Sequence, residues 1–323
     1  MNYALWKKSV HETRWLLAAS GLGMFLFCWA RVWLVSLVTM SKFANVVAEF
    51  WKDVERFSPV PLDHLLTYPG RIAVTFEELI VILLISVWAI GRGSDTISGE
   101  LGRGTMEMLL AQPVSRSQIL LTQAAVTVAG IAALVFVAWL GIFTGIHLFS
   151  VEEAPPAPTF TIPLTRIEIP WPVGDQEPIR VPLATKAKSF QFTAGCINLF
   201  ALGFFLAGMT TLLSSWDRYR WRTIGIAVGV YIVQIVLKVF GLAHESLQWM
   251  SYCTFYVLYE PQAAVYAQIQ HPRTWWYPIL TNDQGRWQGL SPLGDSLLLV
   301  MLGCLAYASA LVIFRRRDLP APL

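Results

Sequence analysis

The sequence predicts an all-α integral membrane protein with six transmembrane helices, and three observations carry that prediction. The chain is 55% hydrophobic and only 14% charged, whereas an ordinary soluble domain is about 25% charged. A soluble fold of 323 residues has no interior large enough for so much apolar surface, so the excess faces lipid. Six apolar stretches are each long enough to cross a hydrocarbon core of about 30 Å, which takes about 20 helical residues. Finally, Lys and Arg gather at alternate ends of these stretches, as a multi-pass topology requires.

The six stretches are 15–39, 72–91, 118–148, 190–213, 223–241 and 294–314. The third exceeds one span, so its outer end is expected to tilt or project. The short connections that would face the cytoplasm hold Lys7, Lys8 and Arg14; Arg92, Arg103 and Arg116; Arg218, Arg220 and Arg222; and Arg315, Arg316 and Arg317. The long connections carry acids and bases in balance. Both termini are therefore expected in the cytoplasm, in a single membrane domain spanning 1–323 of a cell (inner or plasma) membrane. Residues 1–14 set Leu5, Trp6 and Val10 against Lys7, Lys8 and Glu12. They read either as an interfacial helix along the inner leaflet or as a frayed start.

Three connections on the outer side are long. In 41–70, Phe43, Val46, Val47, Phe50, Val54 and Phe57 recur at helical spacing up to Pro59 and Pro61, which predicts an amphipathic helix on the outer surface. Segment 150–189 alternates through Thr159-Phe160-Thr161-Ile162, Arg166-Ile167-Glu168-Ile169 and Ile179-Arg180-Val181, which predicts a small extracytoplasmic β-hairpin. Segment 242–292 has an apolar and aromatic run from Tyr252 to Tyr266 broken by Glu260-Pro261. It is too short to span, so outer-face or re-entrant helices are expected there.

Several function classes find no support. The four cysteines form no CxxC pair, and the five histidines are scattered. No P-loop, HExxH, GxGxxG or GxSxG occurs. No cofactor, metal or catalytic residue is implied, and a net charge of +3 gives no reason to expect nucleic acid. The fourteen tryptophans suit a protein with two membrane–water interfaces.

The most informative stretch is the first inner connection, 91–117. Gly99, Gly102 and Gly104 precede Thr105, which could cap a short helix with Met106, Leu109 and Leu110 on one face. Pro113 ends that helix, and Ser115 and Arg116 open the next. An exposed helix with an apolar face at the mouth of a membrane bundle asks for a protein partner. This run resembles the cytoplasmic coupling loop of ABC-2 type (type V exporter-like) ABC transporter permease subunits. The shared pattern is Glu100, small residues, Gly104-Thr105, then Glu107-Met108-Leu109-Leu110-Ala111-Gln112-Pro113-Val114-Ser115-Arg116. The six helices, the long outer region before the last helix and the ending Phe314-Arg315-Arg316-Arg317-Asp318-Leu319 extend the resemblance. It implies a coupling helix that docks on a separate ABC ATPase subunit through Glu100, Gly104, Thr105, Glu107, Pro113 and Arg116. It also implies a second permease chain, identical or homologous. The other inner loop, 214–222, is basic and aromatic, and reads as a smaller ATPase contact or a lipid-headgroup anchor.

Ionisable residues within the spans are costly and are usually paired or functional. They are Arg31, Glu77, Glu78 and Lys238. Arg31 lies about 24 Å along the first stretch, and Glu77 about 7–8 Å below the outer edge of the second. Their depths match, so Arg31 is expected to pair with Glu77 or Glu78, leaving the other glutamate for a cleft, a neighbouring chain or Lys238. Against the exporter permease stand a proton- or ion-coupled secondary carrier using Glu77/Glu78, a membrane enzyme, and a non-transporting scaffold in an ABC complex. The carrier leaves 91–117 unexplained, and the enzyme lacks converging reactive groups.

Overall fold

The computed structural model describes residues 3–38, 43, 51, 55–153, 159–161, 168–170, 179–281 and 287–317. Six helical runs in it are long and apolar enough to cross a membrane: Tyr3–Leu37, Tyr68–Gly102, Arg116–Leu148, Ser189–Trp216, Arg220–Ala243 and Pro292–Arg316. Each contains or closely overlaps one of the six expected stretches.

The first run is a single helix, α1 (Tyr3–Leu37). Residues 3–14, read as an interfacial helix or a frayed start, are the first turns of this helix. No proline interrupts the segment, and Leu5, Ser9 and Thr13 turn inward to pack as part of the long helix. A short helix, α2 (Leu62–Leu65), follows Pro61. Of the amphipathic helix expected in 41–70, Val46, Val47, Phe50 and Val54 lie outside the described residues, while Glu55–Phe57 is a short 3-10 turn.

The second run is segmented. Helix α3 (Tyr68–Ala73) leads through a 3-10 turn at Val74–Glu77 into α4 (Leu79–Ser94), a π-helical turn at Asp95–Gly99 and the short α5 (Glu100–Gly102). After Gly104 comes α6 (Thr105–Leu110), the predicted short helix. Helix α7 (Arg116–Leu148) starts with a reciprocal cap: Ser115 Oγ accepts from the Gln118 N–H at 3.2 Å, and Gln118 Oε1 accepts from the Ser115 N–H at 3.1 Å. At 33 residues α7 is about 50 Å long, longer than the hydrocarbon core.

Beyond α7, β1 (Ser150–Glu153), β2 (Thr159–Thr161), β3 (Glu168–Pro170) and β4 (Ile179–Pro182) form two nested antiparallel ladders, β1 with β4 and β2 with β3. The predicted hairpin is therefore present, with a second ladder outside it. Helices α8 (Thr193–Trp216) and α9 (Arg220–Ala243) are joined by a tight turn at Asp217, whose carboxylate accepts from the Arg218 and Tyr219 N–H groups. The segment after α9 forms 3-10 turns at Glu245–Cys253 and Phe255–Leu258, then α10 (Pro261–Gln270). A further hairpin, β5 (Ile279–Thr281) with β6 (Trp287–Leu290), leads into α11 (Pro292–Arg316).

The core lies between α1, α4, α7 and α8, where Met24, Cys28, Ile85, Trp88, Leu134 and Leu202 are fully buried. Helices α1 and α7 approach closely because α7 offers glycine at Gly141 and Gly145. A Cβ on Gly145 would lie 2.7 Å from Val32 Cβ, and one on Gly141 would lie 2.8 Å from the Phe25 carbonyl oxygen. Helix α9 sits at the margin of the bundle. Only Thr223, Ala227 and Gly241 along it are buried, and Ile232, Val233, Val239 and Phe240 are exposed. Lys8, Arg92, Arg103, Arg116, Arg220 and Arg315 share one end of the bundle, hereafter the basic end.

Candidate functional site: the helix at the basic end

Helix α6 is held from beneath. Its apolar side, expected to be exposed, is buried within the chain itself. Met106 packs with Ile97, Leu120, Ala310 and Phe314, and Leu109 with Leu5 and Ile119. Burying each such side chain contributes about 1.5–3 kcal/mol. One turn and a half of helix thus touches α1, the π-helical turn, α7 and α11 together. The side facing away carries Glu107, Met108, Ala111, Gln112 and Pro113, all exposed, with Met108 at 71%.

The backbone enters α6 through Gly104, whose φ of 70° is left-handed; a Cβ there would meet nothing within 4 Å, so the conformation alone favours glycine. Gly104 is the N-cap, and Thr105 makes no capping bond. Its hydroxyl donates instead to the Glu100 carboxylate and the Glu100 carbonyl oxygen. Glu100 is fully buried. It also receives Lys8 Nζ at 2.9 Å and Arg103 at 3.3 Å. A buried carboxylate persists when hydrogen-bonded cations surround it. Glu100 therefore does not face outward; it fastens the turn before α6 to α1. Arg116 likewise turns inward, donating to the Phe314 and Arg317 carbonyl oxygens at 3.2 and 2.5 Å and so tying the start of α7 to the end of α11.

A second carboxylate, Asp95, gathers three guanidiniums: Arg92 at 3.3 Å, Arg103 at 2.7 Å and Arg220 at 3.3 Å. Arg92 also donates to Ser9 Oγ at 3.0 Å and Gln123 Oε1 at 2.6 Å. Ser214 Oγ on α8 accepts the Ile97 and Ser98 N–H groups at 3.2 and 2.9 Å. Helices α1, α7, α8 and α9 thus converge on the end of the second span that carries α6, and α6 packs on α11 as well.

Sequence reasoning does not single out Lys8, Asp95, Gln123 or Ser214 as site residues. The one legible signal is Asp95, a lone acid among arginines at a span end. Its partners lie far apart along the chain.

The intramembrane charges sit at the opposite end. Arg31 pairs with Glu78 at 3.0 Å. Glu77 accepts from Gln262 Nε2 at 2.8 Å. Lys238 donates to two carbonyls of the turn before α10, Tyr256 O at 2.9 Å and Tyr259 O at 3.2 Å. Tyr259 in turn donates to the Phe76 carbonyl at 2.5 Å. Lys238, Tyr259 and Glu77 hold α10 and the segment before it against α9 and the start of the second span, and Arg31–Glu78 ties that start to α1. Among the described residues no group of His, Cys, Asp and Glu is arranged to hold a metal ion.

The family model of the ABC-2 family transporter proteins matches residues 10–171, half of the chain, including all of 91–117. The chain belongs to the ABC-2 transporter family. No curated protein matches it. It is accordingly an ABC transporter permease, a multi-pass membrane subunit of a kind that is generally non-catalytic.

Proposed function

We propose that this permease exports its substrate by coupling to a separate ABC ATPase, with α6 as the coupling helix and Glu107, Met108, Gln112 and Pro113 as its contact face. One observation carries the reading: α6 is packed from within onto α1, α7, α11 and the π-helical turn, while its other side is uncovered. A connector needs no such anchoring. A lever does, because a push on the outer face must reach the spans without being absorbed.

The route is short. Displacement of α6 is carried through Met106 and Leu109 to α11, α7 and α1. In parallel, Glu100 pulls on Lys8, and Asp95 pulls on Arg220 at the start of α9. Ser214 links the π-helical turn to α8. At the far end the Arg31–Glu78 pair and the Lys238–carbonyl bonds are the contacts such a movement would have to stretch. In this reading both termini and α6 are cytoplasmic, a second permease chain completes the pathway, and Gly104, Thr105, Glu100 and Arg116 support the contact from behind.

The test is an ATPase assay on the permease co-purified with its ATPase, compared with the ATPase alone. Stimulation or tight co-purification that Glu107→Arg weakens supports coupling through α6. Substrate movement driven by a proton gradient without any ATPase would replace it with the secondary carrier.

A further inference from the structure

Beside α6, on the flank of the bundle, lies a cleft of about 320 Å³ lined by Glu12, Thr13, Leu16, Gly91, Arg92, Asp95, Arg103 and Arg220. It opens between α1, α4 and α9. Three guanidiniums line it against one Asp95 carboxylate and Glu12, and Glu12 already faces Lys8 at 3.6 Å. Arg103 also reaches Glu100 at 3.3 Å and Arg220 the Gly91 carbonyl oxygen at 3.3 Å, yet three guanidiniums carry about fifteen N–H donors, more than these acceptors fill. The side chains of Arg103 and Arg220 remain 41% and 43% exposed. Arg92 is 3% exposed and already donates to Asp95, Ser9 and Gln123, so it stands behind the cleft wall. Arg103 and Arg220 thus keep donors turned to the open cleft.

Its surroundings decide what would bring them. The cleft sits at the end of the apolar part of the second span, where Gly91 lies near the close of α4. Along α4 from that point, Val87, Leu83 and Ile80 are exposed at spacings of four and three, a single apolar stripe on one helix face. Trp15, Trp221 and Tyr219 are exposed near the same level, 74%, 73% and 50%, as side chains of a membrane–water interface are. An anionic group at this place with an apolar chain running away from it matches both features.

We propose that this cleft binds the phosphate of an anionic glycerophospholipid, with Arg103 and Arg220 as phosphate donors and an acyl chain along Val87, Leu83 and Ile80. Guanidiniums hold phosphate oxygens through paired N–H bonds. The bound lipid adds a further anion to the Asp95 cluster, so it strengthens the tie between α9 and the turn that carries α6. The inference stands independently of ATPase docking.

The test uses the full chain purified in detergent. Native mass spectrometry of the unaltered protein in mixed micelles should show phosphatidylglycerol retained in preference to phosphatidylcholine at equal mole fraction. Phosphatidylglycerol should raise the melting temperature, and inorganic phosphate at the same concentration should not. The double substitution Arg103→Gln/Arg220→Gln should weaken phosphatidylglycerol affinity about 30-fold, from about fivefold per arginine near the membrane surface. Arg316→Gln, which removes an exposed arginine outside the cleft, should leave affinity unchanged. Equal retention of both lipids overturns the proposal without any variant. So does equal weakening by Arg316→Gln, which would mean diffuse attraction to the basic end, and an equal shift with inorganic phosphate removes the lipid from it.

Discussion

At the residue scale the ion pairs separate two kinds of charge. Arg31 and Glu78 lie 3.0 Å apart, 22% and 37% exposed, near one end of the spans, where an unpaired charge costs less than the about 2.5–3.5 kcal/mol it costs at the bilayer centre. Arg31→Leu is expected to lower stability by about 1–2 kcal/mol, and Arg31→Leu/Glu78→Leu to recover most of that. Arg31→Leu/Glu77→Leu should recover nothing, because Glu77 bonds Gln262 instead. Thermal unfolding of the single and double variants in one detergent reads all three. His64 makes a different prediction. It is buried outside the spans, its ring 4.8 Å from that of Tyr266, and its Nε2 has no partner among the described residues. Burial holds the imidazole below its ordinary value of 6.5. The unfolded chain therefore takes up a proton before the folded one does. Stability from this group is complete above about pH 6.5 and falls as pH drops from there toward the folded value. His64→Phe should remove that acid-side slope from a series of melting temperatures.

At the element scale glycines tell packing from exposure. Gly141→Ala places a Cβ 2.8 Å from the Phe25 carbonyl oxygen, backbone that cannot step aside, so α1 must move off α7 at a cost of about 1–3 kcal/mol. Gly225→Ala and Gly229→Ala on α9 meet nothing within 4 Å, and alanine is the better helix former by about 0.8–1 kcal/mol, so they should be neutral or stabilising. Melting temperatures of the three variants give the comparison. Gly104→Ala forces a left-handed residue to carry a Cβ, costing about 1–2 kcal/mol, and should also tilt α6. These element-level facts are partly legible in sequence. The short helix, the turn at Pro113 and the start of α7 at Ser115 follow from local chemistry. Which face of α6 points outward does not. Met106 and Leu109 mark an apolar side, and residues distant in sequence, Leu5, Ala310 and Phe314, help to cover it from within the chain. The β5–β6 hairpin has a usable signal, the Asn282-Asp283-Gln284-Gly285 run between two short apolar stretches.

At the scale of the whole molecule, hydropathy and length are enough to locate all six spans, because lipid leaves the backbone few alternatives to helix. The charge network is not legible as a network. Arg92, Arg103 and Arg220 each read as topology signals, and their shared partner Asp95 emerges once α4 and α9 lie side by side. The continuity of α1 is hidden for a related reason: Ser9 and Thr13 look polar and interfacial until Gln123 and Arg92 are seen to meet Ser9. Orientation rests on the charge rule. Cysteines placed at Gln112 and Lys188, both exposed, in a background without the four native cysteines should label from opposite sides of the membrane. The central claim is that α6 transmits force from an ATPase, and the most direct measurement is ATPase stimulation by the unaltered permease and by Glu107→Arg, each with its melting temperature. The Glu107 side chain is exposed, so its substitution should move stability by no more than about 0.5 kcal/mol. The account predicts an unchanged melting temperature with stimulation reduced several-fold, and full stimulation by Glu107→Arg at an unchanged melting temperature would contradict it.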